Sequence, residues 1–318
     1  MKLSVVPEAR RDAPQLLTGT VLRARSGFYT VLTDDRALVE CRLRGRVKQE
    51  RSDSDLVVIG DRVSIAMVGG GDAMIESVEP RRSRFSRRQP GPRGAWKEDM
   101  IVANLDQVLV VFACAEPMPN LRMIDRFLVV AEHNEIPALV VANKVDLVGL
   151  AAANLTFGGY ESIGYPVHYL SAREGIGVET LADQLAGRTS VVTGPSGVGK
   201  STLLNAIQPG LRIETGTVSG TVHKGRHTTT SAELHRLTGA GGGFVADTPG
   251  LRELGLWQIP DADLAWCFPE MRPYLGGCAF NDCRHLSEPR CAILAAIAAG
   301  TVSAARHDSY RRLLLNAD

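Results

Sequence analysis

The sequence predicts a multi-domain protein in which an α/β domain of the phosphate-loop type follows an all-β barrel and precedes a mainly helical, zinc-binding domain. Three observations predict this: alternating strand patterns at 15–80, apolar strands between helical patterns from Asp106 to Asp247, and a cysteine- and histidine-rich segment at 276–291. We expect the barrel, with an N-terminal tail, at 1–85, the α/β domain at 86–255 and the last domain at 256–318.

Composition sets the first limits. The 318 residues leave room for two or three domains, and 44% hydrophobic and 22% charged residues are usual for a globular protein. The longest apolar stretches, Val108–Ala115 and Ala292–Ala299, are too short to span a bilayer, and Met1–Arg11 lacks an apolar signal core. We therefore expect a cytoplasmic protein without a membrane contact, whose six cysteines are reduced or metal-bound.

The N-terminal region carries the pattern of short, half-buried strands. Apolar side chains recur at every second position at 39–43 and 62–67, and further strands are predicted at Leu17–Ala24, Phe28–Thr33 and Ala73–Val78. Turn residues separate these segments. Five short strands predict a small barrel of the OB type, although another small all-β domain fits the same pattern.

A basic segment at 81–97 follows the barrel. It holds seven basic residues and no acidic one, with Pro90-Gly91-Pro92 inside it. This composition predicts a linker to the next domain.

From Asp106 onward, apolar strand runs alternate with helical patterns. The predicted strands are Val108–Ala115, Ala138–Ala142, Pro166–Leu170, Ser190–Thr193 and Phe244–Asp247, and the predicted helices are Met123–Asn134, Gly177–Ala186 and Lys200–Ile207. Such alternation indicates a mostly parallel sheet with helices on both faces.

A phosphate loop, G-x-x-x-x-G-K-S, lies between a strand and a helix at 194–201. Its glycines let backbone N–H groups surround a phosphate at the positive end of the following helix. Lys200 adds a charge toward the β- and γ-phosphates, and the Ser201 hydroxyl is placed for Mg²⁺. The predicted phosphate contacts are Gly194, Pro195, Ser196, Gly197, Val198, Gly199, Lys200, Ser201 and Thr202.

A guanine-reading motif precedes this loop instead of following it. Asn143-Lys144-Val145-Asp146 comes directly after a predicted strand, and the Asp146 carboxylate can accept from both guanine N1–H and N2–H₂. Ser171-Ala172 follows the next strand, as a second base-contacting loop should. The parts of a GTP site are therefore present in rotated order, which is the signature of a circular permutation.

Two further segments predict the switch regions. Asp247-Thr-Pro-Gly250 ends a strand, so that Asp247 would hold Mg²⁺ through water and the Gly250 N–H would sense the γ-phosphate. His227 precedes three threonines at 228–230, of which we favour Thr229 as the magnesium ligand; the choice among the three stays open. Leu251 stands where many GTPases have a water-orienting glutamine. His227 is therefore our candidate for that role beside the catalytic Lys200 and Thr229, the alternative being a solvent-facing loop histidine.

Four metal-ligating residues lie within fourteen positions: Cys278, Cys283, His285 and Cys291. Three thiolates and one imidazole form a complete tetrahedral zinc set, which predicts a structural site because no position is left for water. Free thiols or a disulfide pair are the alternatives. Cys41, Cys114 and Cys267 lie elsewhere and are expected to be buried apolar residues.

Contacts with RNA must come from local patches, because the net charge is only +1. Three basic patches are candidates, each with a solvated charged face as its alternative: Arg42, Arg44, Arg46, Lys48 and Arg51; Arg81 to Arg93; and Arg306, Arg311 and Arg312. Aromatic residues make up only 5% of the chain, so phosphate contact should dominate over base stacking.

These motifs together resemble the circularly permuted ribosome-assembly GTPases of the bacterial RsgA (YjeQ) type. G-R-H-T-T-T at 225–230, D-T-P-G-L-R-E at 247–253 and the cysteine–histidine cluster carry the resemblance, which extends over nearly the whole chain. It implies an OB barrel, a permuted GTPase domain and a zinc domain. It also implies hydrolysis of GTP to GDP and phosphate, stimulated by the small ribosomal subunit during late maturation.

The implied cofactors are GTP or GDP, Mg²⁺ and one Zn²⁺, and the implied partners are the small subunit, its rRNA and other assembly factors. We expect a monomer. Two alternatives stay open: an RNA-binding assembly factor with GTP as a nearly non-hydrolysing switch, and a permuted GTPase acting on the large subunit. Only 27 residues separate Gly250 from Cys278, so we also expect the nucleotide state to reposition the zinc domain relative to the barrel.

Overall fold

An eleven-stranded sheet runs through both the barrel and the α/β domain in the computed structural model. The structure describes residues 16–45, 47, 57–68, 72–90, 96–211, 233–239, 241–247 and 259–316. The strands are β1 (Leu16–Arg25), β2 (Phe28–Thr33), β3 (Leu38–Leu43), β4 (Arg62–Val68), β5 (Asp72–Val78), β6 (Arg84–Pro90), β7 (Trp96–Ala103), β8 (Gln107–Ala113), β9 (Ala138–Asn143), β10 (Val167–Tyr169), β11 (Thr189–Thr193), β12 (Glu233–Arg236) and β13 (Phe244–Asp247). The helices are α1 (Leu121–His133), α2 (Leu150–Ser162), α3 (Val178–Leu185), α4 (Lys200–Ile207), α5 (Asp261–Leu264), α6 (Ala292–Ala298) and α7 (Ala304–Leu315).

Strands β1 to β5 close into the predicted five-stranded barrel. Strand β1 pairs with both β2 and β4, and β5 joins β3 to β4. Alternate side chains fill the interior, with Val31, Cys41 and Ile65 fully buried. The pairing of β4 with β5 shifts in register between Ser64 and Ile65. Beyond this shift the predicted alternation in β4 is wrong, since Ala66 is buried and Met67 is exposed.

The α/β domain has the predicted parallel sheet, in the order β10-β9-β8-β11-β13, with the antiparallel β12 at one side. Strand β8 is buried along its whole length, as expected for a strand covered on both faces. The sequence patterns missed α2 and the four-residue strand β12. Because the five parallel strands point the same way, their carboxyl ends meet at one edge of the sheet.

The barrel joins this sheet through β12. Strand β12 pairs with β13 on one side and with β1 on the other, where Arg23 lies opposite Glu233 and forms an ion pair with it. Leu22 of the barrel packs in the same hydrophobic cluster as Val191 and Leu234 of the α/β domain. The strands of the barrel therefore continue the α/β sheet, and the barrel packs against the α/β domain.

The predicted linker is wrong in its secondary structure. Strands β6 and β7 pair as an antiparallel hairpin that begins at Arg84 and ends at Ala103. Phe85 and Val102 anchor the hairpin in the core. Arg81, expected in an RNA-binding patch, is buried and pairs with the buried Asp61 at 2.7 Å, which ties the hairpin's start to the barrel.

The last domain packs against α1 of the α/β domain. Val129 of α1 belongs to the cluster that holds Phe268 and Tyr310, whose rings meet edge to face. Arg306, expected on the surface, is buried and pairs with Asp125 of α1 and with Glu270, each at 2.7 Å. The predicted third basic patch is therefore wrong at Arg306.

Cys41, Cys114 and Cys267 are buried, as predicted. Within the described residues, no helix is both long and apolar enough to cross a membrane.

Candidate nucleotide site and metal centre

The predicted base-reading and phosphate-binding segments lie in the loops at the carboxyl edge of the parallel sheet. Asn143 ends β9, Ser171 follows β10, Gly194 follows β11 and Asp247 ends β13. Their meeting at one edge follows from parallel strands of similar register, and this is where open α/β sheets bind ligands.

Asn143 is buried and joins three of these segments. Its Nδ2 donates to the carbonyl oxygen of Val198 in the phosphate loop at 2.9 Å. Its Oδ1 accepts from the N–H groups of Lys144 at 2.8 Å and Ala172 at 3.0 Å. The base-reading loop, its second loop and the phosphate loop are thus held in one fixed arrangement.

The rest of the base-reading motif turns toward solvent. Lys144 adopts a left-handed backbone conformation, with φ of 63°, and begins a one-turn 3₁₀ helix at Val145–Leu147. This turn leaves the Asp146 side chain exposed, where an incoming base can reach it. Burial, followed by the charge of Asp146, raises the pKa of the neighbouring Cys114 thiol to about 11, so this thiol stays protonated.

The loop at 171–176 is closed by its own hydrogen bonds. The Ser171 N–H donates to the Ile176 oxygen at 3.0 Å, and the Ser171 hydroxyl accepts from the Glu174 N–H at 3.2 Å. These bonds fix the position of Ala172, whose N–H points at Asn143.

The phosphate loop depends on glycines at two close approaches. Gly194 has φ of 137°, and a side chain there would collide with the carbonyl oxygen of Val111. Gly199 has φ of 93°, and a side chain there would collide with the Asn143 amide. The Lys200 ammonium donates to the carbonyl oxygens of Gly194 at 2.7 Å and Pro195 at 2.6 Å. A positive charge is thereby held against the loop at the start of α4, an arrangement that favours a bound anion.

A segment after β8 also belongs to this edge, and the sequence patterns did not single it out. The carbonyl oxygen of Glu116 accepts from the Lys144 ammonium. Pro117 borders the phosphate loop, since a Cβ added at Gly197 would lie 3.6 Å from its ring. Its position after a central parallel strand was the available signal.

Several predicted residues lie outside the described residues: His227, the threonines at 228–230 including Thr229, Gly250 and Leu251. For Asp247 the backbone is described, and it pairs with Glu233 across β12 and β13. The roles of these residues stay predictions.

The four predicted metal ligands do come together. Ligand atoms of Cys278, Cys283, His285 and Cys291 all lie within 4.8 Å of one another. Cys278 Sγ lies 3.8 Å from Cys291 Sγ and 3.5 Å from His285 Nδ1. Tetrahedral zinc with Zn–S bonds of about 2.3 Å separates its sulfur ligands by about 3.8 Å, so the cluster fits a zinc ion.

Neighbouring groups hold the cluster in shape. His307 Nε2 donates to the carbonyl oxygen of His285 at 2.7 Å, and the Tyr310 hydroxyl donates to that of Arg284 at 2.8 Å. Burial would raise the pKa of Glu288, but backbone N–H groups, including those of Arg284 and Leu286, lower it to about 2. The ligand loop is therefore held by hydrogen bonds to α7 and, within the loop, to the Glu288 carboxylate.

Known proteins are similar to this chain in sequence. The RsgA GTPase family model matches residues 78–257, and the RsgA N-terminal domain model matches residues 18–75. A small ribosomal subunit biogenesis GTPase RsgA from Gemmatimonas aurantiaca is 48% identical, over 93% of this chain and 96% of its own. The protein of that name from Moorella thermoacetica is 43% identical, over 94% and 96%.

Two solved structures are also similar. YjeQ from Thermotoga maritima superposes with a TM-score of 0.78 at 32% identity, covering 95% of this chain and 99% of its own. YloQ, described as a circularly permuted GTPase, has a TM-score of 0.73 at 28% identity and covers 98% of each chain.

Fold, motif order and site together define a circularly permuted P-loop GTPase, an enzyme class that hydrolyses GTP. The five-stranded barrel before this domain and the cysteine–histidine cluster after it narrow the class further. The chain belongs to the RsgA GTPase family.

Proposed function

We propose that this chain hydrolyses GTP to GDP and phosphate on the small ribosomal subunit and thereby assists late maturation of that subunit. The names of the curated relatives support the choice of the small subunit over the large one. The observation that carries the GTPase chemistry is the Asn143 contact with Val198, because it couples the base-reading loop to the phosphate loop.

In this proposal, Asp146 accepts from guanine while Asn143 and Lys144 shape the loop, and Ser171 and Ala172 form the second base loop. The phosphate loop binds the phosphates through its backbone N–H groups and the Lys200 ammonium. Ser201, Thr229 and Asp247 would hold Mg²⁺, whose positive charge would neutralise negative charge that develops on the phosphates during phosphoryl transfer. Gly250 senses the γ-phosphate.

His227 is proposed to orient the attacking water, because Leu251 cannot. Hydrolysis by the protein alone should be slow, and the subunit completes the site by ordering or supplying a catalytic group. Such completion is worth about 10³–10⁵ in rate in related systems.

The cysteine–histidine cluster is proposed to bind one structural Zn²⁺ that holds the last domain folded. Barrel and zinc domain would contact rRNA, and other assembly factors would act beside a monomeric, cytoplasmic protein. The hypothesis that nucleotide state repositions the zinc domain belongs to this proposal as well.

Hydrolysis of GTP and of ATP by the purified protein, with and without small subunits, tests the proposal. We expect slow GTP turnover that rises at least tenfold with small subunits, and no ATP turnover. Stimulation by large subunits and not by small ones would show that the large subunit is the partner. Tight GTP binding with no turnover under either condition would favour the alternative of a nearly silent switch.

A further inference from the structure

A groove between the α/β domain and the last domain is used by neither the nucleotide site nor the metal cluster. Its deeper part is a cavity of about 560 Å³ between the start of α1, the middle of α2 and the start of α7. The apolar walls are Pro119, Leu121, Gly159, Tyr160, Ile163 and Ala305. The charged lining residues balance, with Arg122 and Arg306 against Asp125 and Asp308. The cavity is thus apolar and close to neutral.

A basic pocket of about 340 Å³ adjoins this cavity. It is lined by Arg122, Arg126 and Arg312, and none of the described residues that line it is acidic. The two cavities share Asn120, Arg122 and Ser309 in their walls, so they lie side by side, and we refer to them together as the groove.

The carboxylate of Asp308 is shared among several arginines at this end of the groove. Asp308 pairs with Arg122 at 3.1 Å, with Arg311 at 2.9 Å and with Arg312 at 2.9 Å. One carboxylate therefore serves three guanidinium groups, and these bonds, led by those from Arg312 and Arg311, lower the pKa of Asp308 to about 2. Arg122, Arg311 and Arg312 together thus carry more positive charge than the single Asp308 carboxylate neutralises.

We propose that this groove binds a single-stranded RNA segment, with its phosphates on Arg122, Arg126 and Arg312 and one base inserted in the apolar cavity. A largely apolar cavity of balanced charge beside a basic pocket matches the two halves of a nucleotide, a base and a phosphate. Guanidinium groups bind phosphate oxygens in a bidentate manner. The choice of RNA rests on the proposed ribosomal function.

The distribution of the arginines favours a strand over a single small anion. Arg122 and Arg126 are one turn apart on α1, while Arg312 projects from α7 on the opposite wall. The buried Arg306, which joins α7 to Asp125, holds the two walls at this separation. Arg306 thus holds the two walls of the groove together, whereas Arg312 of the same predicted basic patch lines the basic pocket.

The arginine part of the proposal is tested by fluorescence anisotropy of a labelled single-stranded RNA with the full chain. The double variant Arg122→Ala/Arg126→Ala should bind more weakly. The slope of log affinity against log salt should fall by about 1.4, at about 0.7 for each lost phosphate contact on a single strand. Arg188→Ala, at an exposed arginine of the α/β domain that lines neither cavity, is the control and should leave the slope unchanged.

The base cavity is tested by Gly159→Met. Gly159 lines the cavity, and a Cβ added there meets nothing within 4 Å, so a methionine has room to begin extending into the cavity. Loss of one inserted base should weaken RNA binding about tenfold. Leu155→Met, on the exposed side of the same helix, is the matched control and should bind like the parent protein.

Weaker RNA binding in both groove variants, with both controls unchanged, supports the proposal. An unchanged affinity in either groove variant overturns it. A photo-leucine at Leu121 in complex with small subunits should crosslink to rRNA, and a crosslink to a ribosomal protein also overturns it. Stimulation of GTP hydrolysis by small subunits is measured in parallel with the parent protein. If stimulation is intact but the groove binds no RNA, only the groove proposal is contradicted. If the groove binds RNA but small subunits do not stimulate hydrolysis, the proposed function is contradicted.

Discussion

The side-chain amide of Asn143 donates to the carbonyl oxygen of Val198 across 2.9 Å, although 55 positions separate the two residues in the chain. In the rotated order, this bond links the first nucleotide motif to the second. The same side chain also accepts from Ala172, so that one buried amide sets the relative position of three loops.

Replacing Asn143 with alanine should loosen the whole nucleotide site. Each buried N–H or carbonyl left without its partner costs about 1–3 kcal/mol, and we expect the GTP dissociation constant to rise at least about tenfold. Titration with a fluorescent guanine nucleotide measures this. Asn154→Ala, at an exposed position of α2, should leave affinity unchanged. Equal affinities for parent and Asn143→Ala would show that the bridge does not shape the site.

Substituting alanine at two glycines with positive φ should distinguish the cost of backbone strain from the cost of a steric collision. Gly210 has φ of 86°, and a Cβ added there would meet no atom within 4 Å. Gly210→Ala should therefore cost about 1–2 kcal/mol of unfolding free energy, the left-handed penalty alone. Gly194→Ala adds a collision with Val111, so it should cost more and abolish nucleotide binding. Urea unfolding compares the two, and similar losses would contradict the packing argument.

Loss of one metal ligand should empty the cluster. Cys283→Ser removes a thiolate from the tetrahedral set, and we expect bound zinc to fall from about one per chain toward zero, with unfolding of the last domain. Elemental analysis and thermal unfolding measure these effects. Cys267→Ala, at a buried cysteine outside the cluster, should keep its zinc despite some loss of stability. Retention of zinc by Cys283→Ser would remove Cys283 from the ligand set.

Removal of Arg306 should lower the free energy of unfolding, because it leaves buried carboxylates without a counter-charge. Arg306→Met leaves Asp125 and Glu270 without their cation, and we expect a loss of about 3–5 kcal/mol of unfolding free energy. Neutralising both carboxylates in the same chain, with Asp125→Asn and Glu270→Gln, should recover most of it.

The control for this prediction is Arg122→Ala. Arg122 is 59% exposed in its pair with Asp308, so its removal should change the unfolding free energy by less than about 1 kcal/mol. If Arg306→Met were equally harmless, the network of Arg306 with Asp125 and Glu270 would not hold the last domain.

A nucleotide-driven movement of that domain against α1 has to break this network, which limits the range of movement that the GTPase cycle can use.

The sequence predicted the parts of the molecule whose chemistry is local. The phosphate loop, the N-K-x-D motif and the cysteine–histidine cluster each lie within a short segment, and residue type at fixed spacing dictates their geometry. The buried strands were equally clear, since β8 is apolar at nearly every position.

The errors have different physical causes. Burial of Arg306 depends on Asp125, which lies 181 positions earlier, and nothing near Arg306 signals it. The hairpin of β6 and β7 has the composition of a linker, because its basic residues and its Pro-Gly-Pro sequence hide the cross-strand pairing. Helix α2 was missed because its glycines and small residues give no clear apolar face.

The antiparallel strand β12 would be the border of the α/β sheet if the barrel were removed. Its unpaired N–H and C=O groups would then form an open template for another chain, the usual origin of edge-to-edge aggregation. Pairing with β1 at Arg23 and Glu233 covers part of that border. We therefore expect the barrel to limit self-association of the GTPase domain, and a fragment beginning at residue 84 should be less soluble than the full chain.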